Sequence, residues 1–238
     1  MGDLLNQLSI PGFFDAKLAF DSIPTILGGL PMSLFLLVVC FSFANILGFV
    51  LMLMRISRIK LLQWPARFYI SFFRGVPMLV VLFLTYFGLN LDALPAAIIS
   101  LTIVPAAFVA EYYRSAFLAI DQGQMDAGLS LGFSYLSVVY HILLPQAFRI
   151  AIPSLGNVLL DLFKGTSLVA MITVSEMFMQ AKIVAGANQD YMTIYIVIAV
   201  IYWLVCCLMS FGQDLLERHL RHNLAWSFAL ITLAFFVN

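Results

Sequence analysis

AGLSLGFSYLSVVYHILLPQAF, residues 127–148, decides how many times this chain crosses a bilayer. The stretch carries no formal charge and is long enough to span, since a membrane helix needs about 20 predominantly apolar residues. Yet Gly128, Ser130, Gly132, Ser134, Ser137, His141, Pro145 and Gln146 interrupt both the apolar run and the helix. In hydrocarbon every backbone group must find its partner within the segment, so a run broken this often is expected to be a structured loop. With that segment set aside, five spans are expected, and the chain reads as an all-α polytopic membrane protein.

The remaining apolar runs give those five. Ile23–Met54 is uncharged and spans with tilt, or with Gly28 and Gly29 still at the interface. Gly75–Leu91 and Ala93–Ala110 follow, then a run from about Ile150 to Ser175 interrupted by Asp161 and Lys164, and lastly Tyr191–Gln213. Composition agrees. The 238 residues are 63% hydrophobic and 10% charged, with a mean hydropathy of +1.03. A soluble chain carries about 25% charged residues. The formal net charge of zero argues against a nucleic-acid partner. Cys40, Cys206 and Cys207 all sit in apolar runs and read as small fillers, with no disulfide framework. No cleavable signal is visible, so the first apolar span is expected to serve as the insertion signal.

Charge sets the orientation. Arg55, Arg58, Lys60, Arg67 and Arg74 lie between the first two spans without an acid among them. The positive-inside rule puts that loop in the cytoplasm, the N-terminus outside and the C-terminus cytoplasmic. The turn at Asp92 then lies outside, Arg114–Arg149 inside, Glu176, Lys182 and Asp190 outside, and Arg218 and Arg221 inside. A sixth crossing at 127–148 would reverse the last pair. Three regions follow: an N-terminal interfacial segment, 1–22, with Leu4, Leu5, Leu8, Ile10, Phe13 and Phe14; a transmembrane domain, 23–222, with a cytoplasmic loop at about 115–149; and an apolar tail, 223–238. As a helix, Leu224–Val237 reaches only about 21 Å against a core of about 30 Å, too short to cross.

The long loop has the features of a partner-binding knob. A short helix is expected from Gly123, with the Asp126 carboxylate in its first turn at the positive end of the dipole. Gly132 permits a turn, Ser134 caps a second short helix at a right angle to the first, and Pro145 closes the unit. Asp126-Ala127-Gly128, Gly132 and Ile142-Leu143-Leu144-Pro145 resemble the cytoplasmic loop of permease subunits of ATP-binding-cassette importers. There the pattern is Glu-Ala-Ala, a glycine, and later Ile-x-Leu-Pro. The polar amino acid branch is the nearest likeness. Phe73-Arg74-Gly75-Val76-Pro77, Tyr86-Phe87-Gly88, Glu111-Tyr112-Tyr113-Arg114, Gly123-Gln124, Pro145-Gln146-Ala147-Phe148-Arg149, Pro153, Asn157 and Lys164-Gly165-Thr166-Ser167-Leu168 extend it from about residue 20 to 220. Asp126 and Gly128 are mild departures from the pattern.

The resemblance implies a type I importer permease fold in the membrane of a prokaryotic cell. It also implies a loop through which an ATPase subunit grips the chain, formed by Gly123, Gln124, Asp126, Ala127, Gly128, Gly132, Leu144 and Pro145. Two permease subunits, alike or different, would form the path, and an extracytoplasmic binding protein would deliver an amino acid, polar or charged. The chain itself is then no enzyme and binds no cofactor, with ATP and magnesium held on the partner. Accordingly the sequence lacks a G-x-x-x-x-G-K-[ST] loop.

The intramembrane charges are the candidate site. Glu111 and Arg114, three apart at the end of the third helix, are expected to form an ion pair anchoring that end. Asp161 and Lys164 are placed near the middle of the fourth helix. There they either neutralise each other or line the substrate path with Asn157, Thr166 and Ser167. In the second case Asp161 would hold the ammonium of a zwitterion, and a nearby cation or hydroxyl its carboxylate. His219 and His222 have no third ligand at metal-site spacing and read as a solvated helix end. The alternative to the importer is a self-sufficient secondary carrier using the Asp161–Lys164 pair. An intramembrane enzyme would need a nucleophile–base constellation that is not apparent.

Overall fold

The computed structural model describes the backbone of residues 13–236 and the side chains up to residue 219. The described residues form helices without a strand: α1 Ala16–Leu27, α2 Leu30–Ile56, α3 Lys60–Gly75, α4 Met78–Phe83, α5 Ala93–Leu118, α6 Gln122–Ser130, α7 Tyr135–Val138, α8 Leu144–Gly165, α9 Met177–Asn188 and α10 Tyr191–Phe236. Wider π turns extend α4 through Leu84–Gly88 and α7 through Val139–Leu143, and a 3-10 stretch, Thr166–Ile172, follows α8. Four stretches are long and apolar enough to cross: Leu30–Ile56, Ala93–Leu118, Tyr135–Ile172 and Tyr191–His219. Lys60–Gly75 and Met78–Gly88, bent by 106° between them, bring the number to five when counted as one broken span.

That bend corrects the straight second span expected over Gly75–Leu91, and the basic loop before it is itself mostly helix. The cause is local. Val76 precedes Pro77, a position pushed out of the helical region, and it is extended at φ −101° and ψ 132°. The first span is also corrected. Its helix starts at Leu30, because Gly28 and Gly29 end α1, and Pro31 sits in the first turn of α2, where a missing N–H costs nothing. Of the N-terminal segment, residues 1–12 lie outside the described residues. From Asp15 the chain is helical, the Asp15 carboxylate accepting from the N–H of Lys17 at 2.9 Å and Leu18 at 3.1 Å, so the boundary at 22/23 falls inside α1. At the other end, the α10 backbone continues unbroken to Phe236, through residues 223–236.

The chain divides into two compact units, Met1–Glu111 with Val158–Cys206 and Tyr112–Asn157 with Cys207–Asn238. In the first, α2 buries Ser33, Leu36, Leu37, Cys40, Ala44, Gly48, Leu51 and Met52, one stripe at three- and four-residue spacing. Small residues there bring helices close. A Cβ on Gly48 would stand 2.5 Å from a Val109 methyl of α5. Ala44, Leu51, Ala66, Ile70, Ala106 and Ala110 make a core cluster, and Tyr69 donates its hydroxyl to the Ile103 carbonyl at 2.7 Å. α9, unforeseen in the sequence reading, packs on α1. In the second unit α8 and α10 approach at Gly156, where a Cβ would overlap Gln213, and the Gln213 amide donates to the Pro153 carbonyl at 3.2 Å.

Candidate functional site

Two constructions stand out, one in each unit. The first is the hairpin of α6 and α7. α6 is capped by Asp121, which accepts from the Gly123 N–H at 2.6 Å. Asp126 lies in the second turn, so the carboxylate at the positive end of the dipole is Asp121, correcting the expectation for Asp126. α6 stops in a Schellman arrangement. The Phe133 N–H donates to the Gly128 carbonyl at 3.2 Å, the Gly132 N–H donates to the Leu129 carbonyl at 3.0 Å, and Gly132 itself sits at φ 85°. Ser134 then caps α7, accepting from the Ser137 N–H at 3.3 Å. The turn at Gly132 and the Ser134 cap are as expected.

Pro145 does not close the unit. The helix runs from α7 through the π turn into α8, and the Leu144 N–H reaches back five residues to the Val139 carbonyl. A proline lacks the N–H that would bond four residues back, and its ring crowds that carbonyl; the wider turn just ahead relieves both. So the second helix of the knob is the start of the fourth span and not a separate short piece. Gly128 and Val138 are buried against each other, and a Cβ on Gly128 would stand 2.7 Å from a Val138 methyl. This close approach accounts for glycine where the family pattern has alanine. The apolar side chains around the turn face away: Leu131 is 78% exposed and Leu136 77%, with Leu129, Phe133 and Tyr135 exposed beside them.

The second construction is a cavity of about 390 Å³ in the other unit, lined by Lys164, Ser167, Phe178, Tyr195, Ile198, Ala199 and Tyr202. Lys164 Nζ lies 2.7 Å from Asp161 Oδ1, with the Lys164 and Asp161 side chains 58% and 74% exposed. The pair stands in the last turn of α8 rather than mid-helix, where a cation suits the negative end of the dipole. Ser167 donates to the Lys164 carbonyl at 2.7 Å. Thr166, in contrast, is fully buried and donates to the Phe163 carbonyl at 2.7 Å, so it is not at the open face. Asn157 is exposed on α8 and belongs to the unit that holds the hairpin. Phe178 and Tyr195 stack at 5.9 Å, and Tyr202 packs against Phe163 at 5.3 Å.

Glu111 forms a salt bridge with Arg55 from the last turn of α2, a partner not foreseen from the sequence. Glu176 was also missed. The charge pattern puts it on the outer side without a partner, and the structure buries it at 0% exposure. Its carboxylate caps α9, accepting from the N–H of Met179 at 2.7 Å and of Phe178 at 2.9 Å. Burial pushes its pKa up from the usual carboxylate range, and these two donors, with the hydroxyls of Tyr202 and Ser33, pull it back. The signal available was a carboxylate immediately before an apolar helical run.

Residues 44–222 match the family described as "Binding-protein-dependent transport system inner membrane component". The chain is 43% identical, over 92% of its length and 99% of the relative's, to the probable amino-acid ABC transporter permease protein YckA of Bacillus subtilis (strain 168). It is 36% identical to the L-cystine transport system permease protein TcyB of the same organism, over 85% and 89% of the two chains. A crystal structure of an amino acid ABC transporter with histidines superposes with a TM-score of 0.79 at 33% identity, covering 84% of this chain and 96% of that one. With four or five candidate spans and the match running through both constructions, the chain belongs to this family and is a multi-pass permease subunit of an ABC importer in the prokaryotic cell membrane, a transport component rather than an enzyme.

Proposed function

We propose that this subunit carries an amino acid through a site at Lys164 and Asp161. The observation behind it is the ion pair at the mouth of an aromatic-walled cavity. A zwitterion offers a carboxylate to Lys164 and an ammonium to Asp161, replacing one pairing by two of similar strength. Ser167 and the Tyr195 and Tyr202 rings supply the rest of the wall. The names of YckA and of the amino acid transporter structure favour the same substrate class.

The hairpin receives an ATPase subunit, which holds ATP and magnesium. The exposed Leu131, Phe133 and Leu136 are the contact, and Gly123, Gln124, Asp126, Ala127, Gly128, Gly132, Leu144 and Pro145 shape it. A second permease subunit, identical or not, completes the path, and an extracytoplasmic protein delivers the substrate. The Arg55–Arg74 charges favour an outer N-terminus and a cytoplasmic C-terminus. Glu111 with Arg55 and Arg114 anchors the inner end of α5. No observation favours the self-sufficient carrier.

Reconstituted vesicles test this. Uptake of labelled amino acids is expected only with the ATPase subunit, ATP and the binding protein, and Asp161→Asn should impair it while ATPase subunits still co-purify. Uptake without ATP, or unchanged kinetics in Asp161→Asn, would refute it.

A further inference from the structure

Among the described residues, Glu176 is the one buried carboxylate, and it is tied to three elements at once. Its two backbone donors belong to α9. Ser33 at the start of α2 donates to Oε2 at 3.3 Å, and the Tyr202 hydroxyl of α10 donates to the same oxygen at 3.2 Å. Its backbone is fixed from the other side. A Cβ on Gly29 would stand 2.5 Å from the Glu176 carbonyl carbon and from the Met177 nitrogen. A helix cap alone would use only the α9 donors. The bond to Tyr202 does something more, because the Tyr202 ring is a wall of the Lys164 cavity.

We propose that Glu176 is a positioning residue for transport, holding Tyr202 so that the cavity beside Lys164 keeps the width its substrate needs. Phe163 supports one side of the Tyr202 ring. The Glu176 carboxylate holds the hydroxyl end, beside a contact with the Thr166 hydroxyl. This rests on the reading of that cavity as the substrate site.

Glu176→Asp separates cap from positioning. Aspartate is a good N-cap, so α9 keeps its start, but the carboxylate retreats by about 1.5 Å and releases Tyr202. Tyr202→Phe removes the same bond from the other end, together with the contact to Thr166. The assay is uptake by the reconstituted complex of each of the twenty common L-amino acids and L-cystine, labelled, with half-saturation taken for the best-transported one. Each variant is expected to raise half-saturation about two- to tenfold, the range of one hydrogen bond, with maximal rate near wild type and a modest fall in unfolding temperature from the buried polar groups left short of a partner. In Tyr202→Phe the Glu176 bond is already gone, so adding Glu176→Asp should raise half-saturation little further. A shift in Asp161→Asn and Lys164→Ala with none in Glu176→Asp overturns this proposal alone, as does a double variant whose effects multiply. No shift in Asp161→Asn and Lys164→Ala overturns the cavity reading and this proposal with it.

Discussion

Around the 122–143 hairpin the apolar side chains point outward and the tight packing is made by Gly128 against Val138. Around Lys164 the arrangement is reversed, with charges at the open face and the buried side made of aromatic rings and hydroxyls bonded to backbone. An outward apolar rim gains free energy only when something covers it and removes water. An exposed ion pair gains when a ligand offers a matching set of charges. The two regions therefore answer to different occupants, a protein and a small zwitterion, although they lie in one short chain. Damage to one should leave the other's occupant bound.

Disturbing the packing under the Lys164 region is expected to give the largest effect. Gly29→Ala places a methyl against the Glu176 backbone, which no side-chain rotation relieves. A loss of about 3 kcal/mol or more is expected, read as a large fall in thermal unfolding temperature in detergent. Next, Leu131→Asp with Phe133→Asp should cut co-purification of the ATPase subunit by about tenfold or more. Its unfolding temperature should stay put, since both side chains are exposed. If ATPase binding survives, the hairpin is not the docking face. Lys164→Ala should raise half-saturation for uptake about tenfold, as for a lost charge-assisted hydrogen bond, while the ATPase subunit remains bound. Loss of both together would show that the regions are not separable. The smallest effect is Asp121→Ala, which removes the α6 cap at about 1 kcal/mol and should appear as faster amide exchange over the first turn of α6.

How much of this was legible beforehand varies by region. The four or five spans and the break at 131–134 follow from charge and from glycine and serine spacing, signals that act within a few residues, whereas the loop expected over 127–148 is overturned in its second half, because 135–148 begins the fourth span. The turn at Gly132 and the cap at Ser134 were legible for the same reason. The bend at Val76–Pro77 was not, although proline announces it, because the apolar run continues through it and hydropathy is blind to direction. Polarity alone places Thr166 on the open path, yet a threonine hydroxyl in a helix satisfies itself on the carbonyl of the preceding turn. Glu176 was read as an outer charge because burial of a carboxylate depends on Ser33 and Tyr202, far from it in sequence. Local chemistry was readable; partners brought from distant segments were not.

The π turn at Val139–Leu143 sets an angular phase. Each residue of an α-helix advances the side-chain direction by about 100°, and a π turn accommodates one residue more than an α turn would. The side chains of 144–157 therefore display at an azimuth offset from that expected by counting on from Tyr135. Deleting a single residue within 139–143 would leave the outward residues of the hairpin and the α8 sequence intact. It would also turn one set against the other by about a quarter of a revolution. For this stretch of chain, the number of residues is as much a specification as their identity.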